Sequence, residues 1–202
     1  MGAAITTTVS KVNRAKIDED PPTYKAAMSH PDAAQWQIAC AEELETFKRM
    51  KLYETVDKPT DQKIVDSKWV FRLKRGPDGE IEKHKARVVA KGFTQVEGLN
   101  YDKTFAPVVK FTSIHILLTI AAYNDLKIHQ VNIKTAFLNG ELKEEIYLRL
   151  PPRANVNKAL VWRLLKPLYG LKQAGRQWYQ EVHAQFTKIG FVRLEADHSV
   201  FR

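Results

Sequence analysis

The sequence contains a single cysteine and lacks any long apolar run. With Cys40 alone among 202 residues, an intramolecular disulfide and a cysteine-rich zinc site are both excluded. No stretch reaches the roughly 18 consecutive apolar residues that a membrane-spanning helix needs, and the first residues lack the pattern of a secretory signal. We therefore expect an intracellular protein, in the cytoplasm or the nucleus, with no membrane partner.

Acidic residues are also in short supply. The chain has 32 Lys and Arg against 23 Asp and Glu, which gives a formal net charge of +9. A chain this basic tends to bind polyanions, nucleic acids above all. A merely soluble basic protein is the alternative at this point.

The apolar spacing predicts one ordered domain behind a flexible leader. Residues 1–22 are polar and end in an acidic cluster and Pro21-Pro22, which is typical of a leader, so the domain is expected at 23–202. Helices are predicted at 32–50, 112–125 and 173–189, with Thr112 or Ser113 capping the second, and strands at 127–133, 145–150, 160–165 and 199–202.

A basic β-hairpin is predicted near the middle of the chain. The β-rich runs 64–73 and 81–90 flank a Gly-Pro-Asp-Gly turn at 76–79. Five of its cations are predicted to bind nucleic acid: Lys68, Arg72, Lys74, Arg75 and Lys83. So much positive charge favours a surface for phosphate backbones, and a solvated charged face is the alternative.

The order of these elements is typical of an α+β fold. We expect a basic β-hairpin and helices packed on a small antiparallel sheet. The residues alone therefore predict a basic α+β domain with a nucleic-acid-binding surface.

Five segments of the sequence resemble the reverse transcriptase of copia-type LTR retrotransposons and occur in the same order as in that family. They are Trp36 with Glu42-Glu43, KWVFRLKRGPDGEIEKHKARVVAKGFTQVEGLNYDKTFAPVVK (68–110), HQVNIKTAFLNGELKEEIYLRLPP (129–152), LYGLKQAGRQWY (168–179) and ADHSVF (196–201). The resemblance covers roughly residues 22–202. It implies a retroviral-type polymerase fold, with fingers at about 50–111 and a partial palm at about 112–202.

The resemblance implies addition of deoxynucleotides to a primer, directed by an RNA or DNA template. Deoxynucleotide triphosphates and the template-primer would be the partners, and two Mg²⁺ ions the cofactors. Two such ions clamp the attacking and leaving oxygens of an in-line displacement, and they need carboxylate ligands.

Asn132 departs from the family at the position that matters most. The family usually has VDVKTAFLNG at 131–140, where the aspartate is the first metal ligand. An amide lacks the full charge and bridges two cations poorly, so its cost is several kcal/mol of transition-state stabilisation, on the order of a thousandfold in rate. We therefore expect no intact metal site and no productively bound Mg²⁺.

A second departure concerns the family's Tyr-x-Asp-Asp hairpin. It would follow Phe201-Arg202, and the sequence ends before it. The prediction is thus an inactive fragment of a transposable-element polyprotein, truncated before the second catalytic acidic pair. The alternatives are a non-catalytic nucleic-acid-binding module that uses the basic hairpin, and an incomplete gene model.

Nine residues resemble the family's nucleotide-binding positions. Residues that bind the triphosphate in the family are matched by Lys85, Arg87 and Lys91, and the backbone N–H groups of Lys134 and Thr135 would flank the triphosphate. Phe137 matches an aromatic gate that rejects the ribose 2′-hydroxyl. The segment behind the nucleotide and the template base is matched by Tyr169, Gly170 and Gln173. Alternatives stay open for five of these positions. Phe137 could be a core aromatic, Gly170 a turn glycine, and Lys85, Arg87 and Lys91 part of a solvated strand face.

Overall fold

The computed structural model of the chain describes residues 19–154, 157 and 159–202. In this part the fold is mixed α+β, as predicted. The helices are α1 (Tyr24–Met28), α2 (Ala33–Arg49), α3 (Phe111–Tyr123) and α4 (Ala174–Lys188), with short 3₁₀ turns at Gly92–Thr94 and Ala136–Asn139. The strands are β1 (Tyr53–Asp57), β2 (Ile64–Val65), β3 (Ser67–Arg75), β4 (Ile81–Ala90), β5 (Tyr147–Arg149) and β6 (Leu160–Leu164).

The strands form two separate sheets. β3 and β4 pair antiparallel as the predicted hairpin, and the other strands lie in the order β1-β6-β5-β2. The expectation of a purely antiparallel sheet is wrong at one edge, because β2 runs parallel to β5. The predicted strand 64–73 is divided at Asp66, whose carboxylate accepts a 2.7 Å hydrogen bond from Arg149 Nε. An apolar run predicts a strand but does not identify its partner.

Helix α2 packs against both sheets through one apolar stripe. Trp36 meets Phe71 of the hairpin edge-on, with ring centroids 5.3 Å apart, and Phe47 meets Trp162 of the larger sheet at 6.2 Å. Trp36 and Phe47 are both fully buried. Truncating one such aromatic side chain to alanine costs about 3–5 kcal/mol, so α2 fixes the hairpin against the sheet.

Helix α3 is capped by a distant carboxylate. Its N-cap is Lys110, not the predicted Thr112 or Ser113. Asp197 accepts hydrogen bonds from Lys110 N–H at 2.9 Å, from the Ser113 hydroxyl at 2.7 Å and from Ser199 N–H at 3.0 Å. These hydrogen bonds lower the pKa of Asp197 to about 2. The carboxylate therefore satisfies donors at the positive end of α3 and ties residues 197–199 to this helix.

Much of the apolar surface around α3 faces solvent. Ile116 is 53% exposed, and only Ala121 of this helix is buried. Residues 127–133, predicted as a strand, form irregular chain in which Val131 is 84% exposed. A strand depends on a hydrogen-bonding partner, and none of the described strands pairs with this segment. Among the described residues, no helix is both long and apolar enough to cross a membrane.

The end of the predicted leader contacts the hairpin. The Asp20 carboxylate accepts hydrogen bonds from Arg72 at 2.7 Å and from Leu73 N–H at 2.6 Å. Pro21 is buried. Residues 1–18 of the predicted leader lie outside the described residues. At the other end of the chain, the predicted last strand is reduced to a single antiparallel bridge between Phe201 and Arg193.

Substituting Asp197 with alanine is expected to loosen the first turn of α3, because three donors lose their acceptor. Amide hydrogen exchange at Lys110 should accelerate in Asp197→Ala. Since the pKa of this carboxyl falls from the ordinary 3.8 to about 2 on folding, its stabilising effect is complete above about pH 4 and is lost as the pH falls toward 2. Glu195→Ala, which removes an exposed neighbouring carboxylate, is the control, and equal exchange in both variants would contradict the capping role.

Candidate functional site

One open cavity of about 670 Å³ brings together predicted residues from distant parts of the chain. Helix α2, strand β4, the segment 132–137 and Tyr169 supply most of its walls. Nine of the predicted site residues line it: Lys74, Lys83, Lys85, Arg87, Asn132, Lys134, Thr135, Phe137 and Tyr169. Most residues predicted to contact a triphosphate therefore share one site with Asn132.

The cations of β4 reach the cavity because of strand alternation. Lys83, Lys85 and Arg87 occupy every second position, so they project from one face of the hairpin, while Ala86 and Val88 on the opposite face are buried. Partial burial lowers the pKa of Lys85, and the nearby positive charges lower it further. An anion in this cavity would relieve that repulsion.

An aromatic pair borders the cationic strand. Phe137 meets the Tyr169 ring edge-on at 6.0 Å, and the Arg87 guanidinium lies 5.6 Å from the centre of the same ring. Burial raises the pKa of the Tyr169 hydroxyl. Phe137 is 37% exposed, so it is not a core aromatic. The arrangement combines an apolar wall with a planar cation that can make paired hydrogen bonds to phosphate.

The segment that carries Asn132 enters a tight turn at Thr135. Thr135 has a φ of +53°, in the left-handed region that β-branched residues rarely adopt. Its hydroxyl donates to Lys134 O at 2.7 Å, and its carbonyl accepts from Leu138 N–H at 2.8 Å. Leu138 is fully buried, which anchors the turn and fixes the course of the backbone beside the cavity.

The acidic groups of this cavity do not fit a two-magnesium centre. Glu42 pairs with Lys83 at 3.0 Å, Glu43 accepts a hydrogen bond from Val88 N–H at 3.3 Å, and Asn132 offers only an amide. Within residues 19–154, 157 and 159–202, no three His, Cys, Asp or Glu side chains form a group that could hold a metal ion. A pair of Mg²⁺ ions needs carboxylate oxygens on both ions, and this donor set does not supply them.

Lys91 and Gln173 lie outside the cavity. The Lys91 ammonium is 3.9 Å from the Asp66 carboxylate. Gln173 is 1% exposed, accepts a 3.0 Å hydrogen bond from Gln95 Nε2 and donates one of 2.8 Å to Asn100 O. Its amide therefore holds two loops together. Any effect of Gln173 on a ligand in the cavity would be indirect, through the position of these loops.

Gly170 lets the backbone before α4 lie directly against the end of β4. Ala90 N–H donates to Tyr169 O at 2.8 Å, and Gly170 has a φ of +87°. A Cβ atom at Gly170 would lie 2.2 Å from Ala90 O. The turn interpretation of Gly170 is thus favoured, and the turn positions Tyr169 at the cavity.

The other predicted nucleic-acid-binding cations lie on the hairpin outside the cavity. Lys68 is exposed, Arg72 pairs with Asp20, and Arg75 donates to Gly79 O at 2.9 Å. Lys68 and Arg72 share a face with Lys74, which also lines the cavity. The cationic face and the cavity are therefore continuous.

The sequence prediction missed Glu43 as a site residue. Its position carries a signal, since it lies seven residues after Trp36 and four before Phe47, within the apolar stripe of α2. Burial raises the pKa of Glu43 to about 7, although Arg87 and Lys85 act in the opposite direction. An acid on the core face of an amphipathic helix is the pattern that could have identified it.

Comparison with known proteins identifies one family. The model of the family described as reverse transcriptase (RNA-dependent DNA polymerase) matches residues 50–202. The Retrovirus-related Pol polyprotein from transposon TNT 1-94 of Nicotiana tabacum is 40% identical over 186 residues, covering 91% of this chain and 14% of the relative. The corresponding polyprotein from transposon RE2 of Arabidopsis thaliana is 38% identical over 190 residues, covering 89% of this chain and 13% of the relative.

A more distant relative is the Transposon Ty1-ER2 Gag-Pol polyprotein of Saccharomyces cerevisiae. It is 36% identical over 155 residues, covering 72% of this chain and 8% of the relative. The chain thus spans less than a sixth of the length of these curated relatives. No solved structure matches it.

Replacing Gly170 with alanine is expected to lower the free energy of unfolding by about 3 kcal/mol or more, because a strained φ is combined with a steric clash. Gly190→Ala is the control, since Gly190 also has a positive φ of +98° but a Cβ there would meet no atom within 4 Å. That variant should lose only about 1 kcal/mol. Urea unfolding measures both, and equal losses would show that the contact with β4 contributes nothing.

Proposed function

The chain belongs to the reverse transcriptase family, in the form found in Pol polyproteins of copia-type retrotransposons, and from this premise we propose that it forms the fingers and part of the palm of such a domain. In this assignment the fingers comprise about residues 50–111 and include the β3–β4 hairpin. The partial palm comprises about residues 112–202. The proposed function is to bind deoxynucleotide triphosphates and a template-primer without polymerising.

The convergence of cations on one cavity carries the proposal for triphosphate binding. Lys85 and Arg87 line it from β4, and Lys134 lines it from the segment 132–137. Phosphate oxygens would accept hydrogen bonds from Arg87 in pairs and from Lys85 as a point charge. Positive groups from distant segments therefore surround a space large enough for a nucleotide.

Phe137 is proposed to select against a ribose 2′-hydroxyl. Its ring lies beside Tyr169 and is partly exposed at the cavity. A rigid aromatic edge next to the sugar would leave no room for an added hydroxyl and would offer it no hydrogen-bond partner. Deoxynucleotides would therefore be the preferred ligands.

The proposed lack of polymerase activity rests on Asn132. It stands where the resemblance places a metal-binding aspartate, and the acids of the cavity are engaged with Lys83 and Val88. Metal ions stabilise the charge that develops in the transition state of phosphoryl transfer. If the substrates are positioned without these ions, most of the energy barrier remains. Substrate binding and chemistry are thus separated in this chain.

Binding of dTTP without primer extension tests this proposal. Lys85→Ala and Arg87→Ala are each expected to weaken dTTP binding by about tenfold, because each removes a charged hydrogen-bond donor. Lys63→Ala, which removes an exposed lysine that does not line the cavity, should leave the affinity unchanged. Isothermal titration calorimetry gives the affinities, and extension of a labelled primer with Mg²⁺ or Mn²⁺ should not exceed the background.

Two results would contradict different parts of the proposal. Absence of dTTP binding, or equal binding by all variants, would remove the triphosphate site. Primer extension that disappears when Glu43 is replaced would show that the chain is an active polymerase and that another acid replaces Asn132.

The cationic face of the hairpin supports a second function, which is nucleic-acid binding without chemistry. Lys68, Arg72 and Lys74 alternate along β3, and Lys83 and Lys85 lie opposite the last two across the ladder. Two acidic partners, Asp20 and Glu42, balance part of this charge. The surplus of positive charge on one flat face suits a phosphate backbone.

Binding of an RNA–DNA hybrid should depend steeply on salt if this face is used. The double substitution Lys68→Ala and Lys74→Ala is expected to reduce the slope of log affinity against log salt by about 2, one for each lost phosphate contact. Fluorescence anisotropy at several salt concentrations measures the slope. Lys63→Ala serves as the control for net charge, and an equal change per removed charge would mean that the hairpin face is not the binding surface.

A further inference from the structure

Glu43 places a carboxylate inside a cavity that otherwise suits anions. It projects from α2, is partly buried and accepts the hydrogen bond from Val88 N–H at 3.3 Å. The charges of Arg87 and Lys85 attract it. The other acid of the cavity, Glu42, is exposed and pairs with Lys83 at the outer end. Glu43 is therefore the inner acid of the cavity.

The position of Glu43 on α2 leaves it little freedom to withdraw. The stripe that buries Trp36 and Phe47 also directs Glu43 toward β4. A carboxylate in such a place is stabilised only by its hydrogen bond and by the surrounding cations. Without a ligand, the Glu43 carboxylate is the counter-ion of the same cations that would bind a phosphate.

We propose that Glu43 is the positioning residue of this cavity, which holds Lys85 and Arg87 in place before a ligand binds and takes up a proton when a triphosphate arrives. This inference rests on the proposed triphosphate site. Phosphates among the same cations would repel an ionised carboxylate, so the neutral form is favoured in the complex. Because burial raises the pKa of Glu43 to about 7, the proton uptake falls near neutral pH.

The titratable and charged groups that line the cavity with Glu43 or interact with it come from several elements. They are Lys83, His84, Lys85 and Arg87 of β4, Lys74 of β3, Lys134, Tyr169, and Cys40, Glu42 and Arg49 of α2 itself. Burial raises the pKa of Cys40 to about 11 and also raises that of Tyr169, so neither titrates between pH 6 and 8. His84 hydrogen-bonds Asp32 at 3.0 Å and is common to all variants below.

The test compares Glu43→Gln with the wild-type chain, with metal-free dTTP as the probe. If only the protonated form binds, the variant should bind about tenfold more tightly than wild type at pH 8 and within about twofold at pH 6, since the ratio is 1 + 10 raised to (pH − pKa). Titration of the ligand itself is the same for both chains. Glu42→Gln is the matched control and should shift the affinity by the same factor at every pH.

Proton uptake provides a readout that a merely structural role would not change. Calorimetry at pH 8 in buffers of different ionisation enthalpy should give nearly one more proton taken up by the wild type than by Glu43→Gln. Glu43→Asp keeps a titrating carboxylate and should keep the pH dependence. If Glu43→Gln does not fold, the wild-type proton count decides, and an uptake of zero overturns the inference.

The outcomes separate this inference from the proposed function. Absence of dTTP binding by every chain at every pH overturns both. Binding with the same pH dependence in wild type and Glu43→Gln overturns the proton-linked role alone and leaves the triphosphate site standing. Weaker binding by Glu43→Gln at all pH values also overturns it, because the neutral side chain should mimic the bound state.

Discussion

The packing of α2 across the two sheets is the contact on which the rest of the site depends. A two-stranded hairpin is only marginally stable by itself, and β3–β4 gains its support where Trp36 closes over Phe71. Phe47 fixes the other end of the same helix on Trp162. The cationic strand is therefore held at a set distance from the larger sheet. Since α2 also supplies Glu42 and Glu43, the helix that assembles the fold contributes part of the electrostatics of the cavity.

The far side of the cavity is set by backbone packing. The close approach at Gly170 brings Tyr169 beside Arg87, and the buried amide of Gln173 holds the following residues to the loop that contains Asn100. A buried amide with both polar atoms paired supports one arrangement of its loops, because any other leaves a donor or acceptor unsatisfied. Two of the positions that resemble ligand-binding residues thus act on the cavity by shaping its wall.

Local patterns predicted much of this architecture, and several of the failures have a common cause. The spacing of Trp36, Cys40 and Phe47 predicted α2 to within a residue at each end, and the turn at 76–79 predicted the hairpin. Three of the missed features depend on groups far away in sequence. Asp197 caps α3 from 87 residues downstream of Lys110, β2 leaves the predicted strand to pair with β5, and residues 127–133 show a strand pattern without a strand partner. The omission of Glu43 has a different cause: helical spacing identifies the apolar face of α2, and the informative residue is the charged one within that face.

In the proposed function, the neutral side chain at position 132 affects binding and chemistry in opposite directions. A metal ion would need that charge, but a triphosphate without metal would be repelled by it. With Asn132 neutral and Glu42 paired to Lys83, Glu43 is the inner carboxylate of a cavity lined by several cations. In the proposal, an amide at this position would favour retention of the anion in the absence of metal, because it lacks the negative charge that a metal ligand would supply. Within this proposal, the neutral Asn132 that argues against polymerisation also favours a cavity in which triphosphate affinity depends on the protonation of Glu43.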